Sequence, residues 1–249
     1  MKKIFMFLAA ASLLMTSCGN DDSADTTPVE STILLKKGIE TYQGGYVLTS
    51  TYTYDGNKIV SGTYSDGTHD VFTYTNDNIT KIQTYDGNTL DEEETFEYNS
   101  NNQLTGYVYK SYGSDNYAER TTYVYNSNGT VTTTEYTGNH SAQTELSGTR
   151  VLTLTNDNIT KSVFTDTDGE IVETETFTFD DKNNPRKNIV GIKAINIAYG
   201  IDGVNNILTS LSDGPEDYSY TYTYNVDGFP VTFSDNDNGN TSSTQYFYE

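Results

Sequence analysis

The sequence predicts an all-β protein, an up-and-down antiparallel meander of about 16 to 18 strands that is curled or closed into a barrel-like sheet. Three observations predict this class. A short motif recurs about nine times, turn signals separate its copies, and apolar residues alternate with polar ones at a period of two. Beyond residue 17 we find no segment with a sustained helical period.

The recurring unit begins near residue 41 and consists of aromatic-x-aromatic, an Asn/Asp/Gly turn and then an aliphatic residue. Its copies are YTYDGNKI at 52, FTYTNDNI at 72, FEYNSNNQL at 96, YVYNSNGTV at 123, LTLTNDNI at 152, FTFDDKNN at 177, IAYGIDGV at 197, YTYNVDGFPV at 222 and the half-unit YFYE at 246. Their spacing of 20 to 29 residues is typical of one supersecondary element per copy.

Most units contain a second turn signal, usually Asp-Gly or Asn-Gly, which favour the positive φ angles of tight hairpins. These signals are Asp66-Gly67, Asp86-Gly87, Tyr112-Gly113, Gly138-Asn139, Asp168-Gly169, Asp213-Gly214 and Asn238-Gly239. Each unit is therefore predicted to be a hairpin with strands of roughly eight residues.

The strands are predicted to have one aromatic face and one hydroxyl face. One strand has tyrosine at every second position: Tyr218, Tyr220, Tyr222, Tyr224. Hydroxyl residues stand between them: Ser219, Thr221, Thr223. Alternate side chains of a strand point to opposite faces, so an aromatic face of this size has to be covered. Closing the sheet on itself would cover it and would remove the sheet edges.

Residues 1–17 are predicted to be a signal peptide, with Lys2 and Lys3 before an apolar run from Ile4 to Met15. That run is too short to span a membrane, for which about 20 residues are needed. Leu14 to Ser17, followed by Cys18, resemble the lipobox of bacterial lipoproteins. The resemblance implies cleavage before Cys18 and a lipid on its sulfur, which would attach the protein to the membrane. The alternative is an ordinary signal peptide followed by a stray thiol.

Residues 18–32 are rich in Asp, Ser and Thr and are predicted to be a disordered, lipidated tether before a β-repeat domain at 33–249. Asn20, Asp21 and Asp22 resemble the export signal that brings Bacteroidetes lipoproteins to the cell surface. The alternative is a generic tether on a protein that faces the periplasm. Ser23 and Thr26 stand in Asp-Ser/Thr-small sequences that resemble the O-glycosylation signal of Bacteroidetes, and a plain polar linker is the alternative.

Two family resemblances concern the repeat. YTYDGNKI and its relatives resemble the YD repeat of the Rhs and teneurin families, although only Lys58 keeps the basic residue before the aliphatic one. In size and context, the region from about residue 41 to 249 is more similar to Bacteroidetes lipoproteins with a porin-like barrel fold. Both resemblances imply an architecture and carry no activity with them.

Composition excludes several function classes. Removal of the signal peptide leaves 12 basic residues against 35 acidic ones, a net charge of −23, which disfavours nucleic acid as a partner. Cys18 is the only cysteine, and His69 and His140 lack a partner at metal-site spacing. Asp-rich segments at 166–170 and 235–240 depart from the EF-hand pattern and are predicted to be turns. We therefore predict no cofactor, no metal site and no catalytic residue.

The leading functional hypothesis is a non-enzymatic lipoprotein of the outer membrane, expected on the cell surface. It would bind an extracellular ligand or partner, for which a glycan is one candidate, or serve the envelope structurally. One alternative is a glycan-processing hydrolase with paired carboxylates, for which the run Glu92 to Glu94 is the densest acidic segment, although a solvated hairpin end explains it more simply. The other alternative is an outer-membrane β-barrel pore, which requires an aliphatic outward face.

Overall fold

Sixteen antiparallel strands, each hydrogen-bonded to its neighbours in sequence, form a closed barrel in which β1 also pairs with β16. The computed structural model describes residues 32–113, 116–213, 217–237 and 241–249. The predicted signal peptide and almost all of the tether lie outside these residues, and so do Cys18, Asn20, Asp21, Asp22, Ser23 and Thr26. The prediction of an all-β meander with about 16 strands is confirmed, and its sheet is closed.

The strands of the described chain follow one another along the sequence, with one short helix after the twelfth. They are β1 Leu35–Thr41, β2 Val47–Asp55, β3 Lys58–Tyr64, β4 Thr68–Thr75, β5 Asn78–Asp86, β6 Thr89–Tyr98, β7 Leu104–Ser111, β8 Tyr117–Tyr125, β9 Thr130–Asn139, β10 Ala142–Thr155, β11 Asn158–Asp166, β12 Ile171–Phe179, α1 Ile192–Tyr199, β13 Ile207–Ser212, β14 Asp217–Tyr224, β15 Pro230–Asp237 and β16 Ser243–Tyr248. No helix in these ranges is both long and apolar enough to cross a membrane.

The repeat motif lies at one end of the barrel, which we call the plug end. The turns after β2, β4, β6, β8, β10 and β14 are at this end, and Leu34 pairs there with Glu249 through two backbone hydrogen bonds of 3.0 and 3.1 Å. The opposite end, where the second turn of each unit lies, is called the far end. The aromatic-x-aromatic pairs therefore form an inward-facing ring near the plug end.

A β-bulge accompanies the second aromatic position of most units. The register shifts directly before Tyr54, Tyr74 and Tyr98, and it shifts in the same way in three later units. A bulge leaves backbone groups outside the ladder, and buried groups of this kind need other partners. Tyrosine hydroxyls supply them: Tyr98 donates to the Ile79 carbonyl at 2.6 Å and Tyr54 to the Leu35 carbonyl at 2.6 Å. This contact explains why the repeat prefers tyrosine there.

The segment 180–206, which joins β12 to β13, lies inside the plug end, and we call it the plug. Its helix α1 places Ile195 and Ile197 in one core with Ile79, Leu104 and Leu152, which come from three different strands. The hydroxyl of Tyr74 donates to the Val190 carbonyl of the plug at 3.0 Å. The circle of inward-facing aromatic side chains is therefore covered in part by the plug and in part by closure of the sheet.

The assignment of IAYGIDGV at 197 as a hairpin unit is wrong, because its first residues belong to α1, the one helix of the described chain. Residues 197–199 form the last turn of α1. The helix has eight residues, too few for a sustained period, and its Ile-Asn-Ile-Ala-Tyr sequence imitates the alternation of a strand. It lies between Gly191 (φ 83°) and Gly200 (φ 69°), whose left-handed backbone favours glycine.

The outward face of the barrel has many hydroxyl groups. Cross-strand pairs of Thr and Ser side chains share hydrogen bonds of 2.6 to 2.8 Å on this face: Thr53–Ser61, Thr178–Thr209, Thr221–Ser234 and Thr223–Thr232. Lys81 and Glu93 form an ion pair of 3.1 Å on the same face. The prediction of one aromatic and one threonine-rich face is confirmed, with the aromatic face inward.

Candidate functional site

Between the plug and the far end, the lumen forms a chamber with two different sides. The aromatic side is a cavity of about 410 Å³. Its walls are the inward side chains of β2 and β14 to β16: Tyr52, Tyr220, Tyr222, Phe233 and Tyr246. The plug supplies the floor, including Arg186 and Asp202. The cavity is within the usual size range of small-molecule sites, about 300 to 1,000 Å³.

The aromatic walls form a continuous surface along β14 and β15. Tyr220 stacks on Phe233, with ring centroids 5.6 Å apart and an interplanar angle of 24°, and Tyr218 lies parallel to Tyr220 at 6.5 Å. Tyr222 packs against Phe233 at 5.3 Å and donates its hydroxyl to the Ile207 carbonyl at 2.9 Å. Burial raises the pKa of Tyr222 and of Tyr246, so both phenols are neutral at physiological pH.

The floor of the aromatic side contains a charged pair held by the plug. Arg186 donates to Asp202 at 2.7 Å, and Asp202 also accepts from Asn184 at 2.6 Å. Asp202 has φ 83°, an uncommon conformation for a residue other than glycine. Its charge and that of Arg186 cancel, so the floor of this cavity carries no net charge.

Asn206 lies beside this pair and has a buried acceptor without a partner. Its side chain is only 2% exposed, and its Nδ2 donates to both Asp180 oxygens and to the Asn183 carbonyl at 3.0 to 3.3 Å. These three acceptors fix the orientation of the amide. Its Oδ1 accepts no hydrogen bond from the described residues, although buried acceptors are normally satisfied.

The acidic side of the chamber is a second cavity of about 310 Å³ on β8 to β12. Its carboxylates are Glu119, Glu135, Glu173 and Glu175. Arg150 contacts Glu135 at 3.2 Å and Glu173 at 2.6 Å, whereas Glu175 accepts from the Ser210 hydroxyl at 3.1 Å. Four carboxylates and one guanidinium leave a formal charge of −3. Ile201 of the plug lines both cavities, so the two sides adjoin.

The acidic run of β6 is divided between the two faces. Glu92 accepts from Tyr109 at 2.7 Å and Glu94 from Tyr107 at 2.9 Å, on the inward face that Phe96 shares. The hydroxyl of Tyr199 in the plug donates to Glu94 at 3.1 Å, and burial raises the pKa of the Glu94 carboxyl. The expectation of a solvated hairpin end is therefore wrong for Glu94, because the pattern along a strand does not show which distant residues cover it.

Other residues considered in the sequence have structural surroundings. Asp166 accepts from the backbone of Asp168 at 2.9 Å, as a turn residue does. His69 stacks on Tyr85 at 5.0 Å, and His140 lies 4.7 Å from the Tyr112 ring. No three His, Cys, Asp or Glu side chains of the described residues are grouped so that they could hold a metal.

Sequence reasoning did not single out the polar residues of the chamber. Arg150, Arg186 and Asn206 belong to no copy of the repeat, and Asp202 stands only in the false unit at 197. Three of the four, Arg186, Asp202 and Asn206, lie in the plug. The only signal for them is the interruption of the repeat between Phe179 and Ile207, which the false unit at 197 concealed. The lipidation, export and glycosylation predictions concern residues outside the described ranges.

Comparison with known proteins supports the architecture. No protein-family model matches the sequence, and no curated protein resembles it in sequence. Among solved structures, the barrel is similar to a porin-like protein from Bacteroides uniformis, with a TM-score of 0.51 and 15% identity over 86% of this chain and 96% of that one. At this level of identity the likeness concerns the fold alone. The chain thus has the fold of a porin-like, 16-stranded barrel.

Proposed function

We propose that this protein is a non-enzymatic binding protein of the bacterial cell surface, lipid-anchored through Cys18, which holds an extracellular ligand in its barrel lumen. One observation carries the proposal: the inward aromatic face extends past the plug and lines a cavity of about 410 Å³ there. A face made only for a core would be filled by other side chains along its whole length.

The chemistry of the walls favours a carbohydrate over a purely apolar ligand. The faces of Tyr220 and Phe233 offer flat apolar surface to the C–H side of a sugar ring. Asp202 and the neutral phenols supply hydrogen-bonding groups around it. Cavities with mostly aromatic walls and a few polar groups are typical of small-molecule sites.

Tyrosine fluorescence tests the proposal directly, because the chain has 22 tyrosines and no tryptophan. We expect the domain from about residue 31 to change its emission on titration with a panel of neutral, acidic and amino oligosaccharides. Phe233→Ala removes a wall of the cavity and should abolish the response. Thr232→Ala, its outward neighbour on β15, is the matched control and should leave the response unchanged.

Two outcomes of this titration would refute the proposal. If no oligosaccharide class changes the emission, or if Phe233→Ala and Thr232→Ala bind equally well, the lumen is not a ligand site. A structural role in the envelope would then explain the aromatic face better.

An outer-membrane pore is the first alternative, and the porin-like name of the similar structure favours it. Membrane barrels carry an apolar band about 25 Å tall on the outward face. Here that face has threonine pairs such as Thr223–Thr232, and it has the ion pair of Lys81 with Glu93. We therefore favour a barrel that stands in water. Addition of the domain to liposomes loaded with a dye distinguishes the two, since a pore releases the dye.

A glycan-processing hydrolase is the second alternative, and Glu94 is the observation that favours it. A half-buried carboxyl with a raised pKa, bonded to Tyr107 and Tyr199 at the edge of the acidic side, is a candidate general acid. Release of reducing ends from the same oligosaccharide panel tests it. A hydrolase would lose this release in Glu94→Gln and keep it in Glu97→Gln, whose side chain is exposed on the outward face.

A further inference from the structure

We infer that the lumen ligand is an amino sugar unit, a pyranose with a free ammonium group, and that the acidic side of the chamber selects its charge. This inference rests on the proposed function and specifies the chemistry of the same site. It follows from the division of the chamber into an aromatic and an acidic side that share Ile201.

The acidic side of the chamber has more carboxylates than cations. Within the described part of the chain, Arg150 is the one cation that lines the acidic side, and it is engaged by Glu135 and Glu173. Glu119 and Glu175 accept hydrogen bonds from Tyr117 and Ser210, which are neutral donors. Two carboxylates thus have no cationic partner in these ranges. An anionic ligand would be repelled there, whereas an ammonium group would be attracted.

The aromatic side favours a ligand that donates hydrogen bonds. Asn206 Oδ1 is buried, is fixed in orientation by three bonds to its Nδ2, and accepts none from the described residues. This oxygen is closed off from the cavity, so a ligand on the aromatic side meets the carboxylate of Asp202 instead, which only accepts hydrogen bonds. Hydroxyl and ammonium groups donate, whereas carboxylate and sulfate groups only accept. Asp202 belongs to the plug rather than to the acidic side, so a ligand that can donate hydrogen bonds is favoured on both sides of the chamber.

The aromatic walls favour a ligand with a sugar ring. Tyr220, Phe233 and Tyr222 form an apolar platform whose rings are 5.3 to 5.6 Å apart between neighbours. A linear amine has no flat face to place on this surface, and a pyranose ring has one. Aromatic faces also attract a cation held close to them. The platform and the carboxylates together fit a sugar ring that carries an amine.

The probes are a glucosamine tetramer, its fully N-acetylated counterpart and spermine, titrated into the domain from about residue 31 and followed by calorimetry. We expect the glucosamine tetramer to bind at least about tenfold more tightly than the other two, as one charge-assisted contact would give. Raising the salt from about 0.05 M to about 0.5 M should weaken this binding, because it shortens the Debye length.

A double variant locates the effect. Glu119→Gln with Glu175→Gln should weaken binding of the glucosamine tetramer about tenfold or more, from the loss of charge-assisted contacts. The matched control is Glu97→Gln with Asp217→Asn, which changes the net charge equally on the outward face. The comparison with spermine needs no variant: attraction to the negative protein as a whole would bind spermine at least as tightly as the glucosamine tetramer, so the inference stays testable even if the lumen variant does not fold.

The outcomes separate the inference from the proposal on which it rests. If the acetylated tetramer binds as tightly as the amine, or salt has no effect, the ligand is a neutral glycan; the inference fails and the lumen site remains. If spermine binds as tightly as the amino sugar, the ring is not recognised and the inference fails. If none of the three binds, the inference fails as well, and the oligosaccharide panel decides about the lumen.

Discussion

Leu152→Ala is the perturbation that tests most sharply how the repeat builds the barrel. Leu152 occupies the first aromatic position of the unit LTLTNDNI, is 0% exposed and belongs to the core that contains Ile195 and Ile197 of the plug. Truncation removes three carbon atoms from a site without solvent contact and leaves a cavity. Fully buried leucines lose about 3 to 5 kcal/mol of stability on this change.

Val151→Ala is the matched control, because Val151 precedes Leu152 on β10 but points outward and is 36% exposed. Loss of two partly solvated carbon atoms should cost less than about 1 kcal/mol, since a buried CH₂ group contributes about 0.8 kcal/mol. Urea unfolding gives both free energies. In thermal unfolding, about 2 to 4 °C per kcal/mol is expected for this domain size, so Leu152→Ala should melt at least about 6 °C lower.

The comparison of the two variants can refute the reasoning. Equal losses of stability would mean that the two faces of β10 are equally buried. The first and third positions of the repeat would then not face the interior of the barrel. A large loss of stability for Val151→Ala alone would mean that Val151 faces the interior and Leu152 the outside.

Three further predictions concern pH, the anchor and the surface. Burial raises the pKa of Tyr74 to about 12, whereas the phenol of the unfolded chain has a pKa of about 10. The free energy of unfolding should therefore be unchanged up to about pH 10 and fall above it, because the unfolded chain then loses the proton that the folded chain keeps. Tyr74→Phe should weaken this fall in urea titrations. Cys18→Ala should abolish incorporation of labelled palmitate, and unchanged labelling would refute the lipoprotein assignment. Replacement of Asn20, Asp21 and Asp22 by alanine should preserve lipidation but protect the domain from protease added to whole cells. Digestion of both forms would refute the export signal, and protection of both would place the wild type in the periplasm.

The barrel could be predicted from the sequence because each unit repeats the same local physics. A tight turn, an alternating strand and an inward aromatic pair need no knowledge of distant residues. Tyr222 and Thr223 illustrate this: their opposite faces follow from position alone, and the structure confirms them. Whether the sheet curls or closes does not follow from these units, because a free edge can also pair with another chain. The pairing of β1 with β16 in the structure shows that it closes.

The plug could not be predicted in the same way. Its helix is held by distant contacts, such as the hydrogen bonds from Tyr74 to the Val190 carbonyl and from Tyr123 to the Ala198 carbonyl, which are 116 and 75 residues apart in sequence. Gly191 approaches the turn between β4 and β5 so closely that an added Cβ would lie 3.1 Å from the Asp77 carbonyl oxygen. A helix of eight residues has little stability of its own, so tertiary packing decides it.

The same reasoning explains why the candidate site lies where the repeat fails. Repeated units place similar side chains at equivalent positions around the barrel, and a ring of equivalent tyrosines cannot by itself distinguish one side of the lumen from another. The plug breaks this equivalence by bringing Arg186, Asp202 and Asn206 under β14 to β16. It turns Tyr199 toward Glu94 on the opposite side. Specific recognition needs such an asymmetric set of polar groups on a rigid frame. If the plug positions the site in this way, Phe233→Ala should impair ligand binding with little loss of stability, and Ile195→Ala, 3% exposed in the plug core, should impair both. Full binding by a destabilised Ile195→Ala variant would show that the walls bind the ligand without the plug.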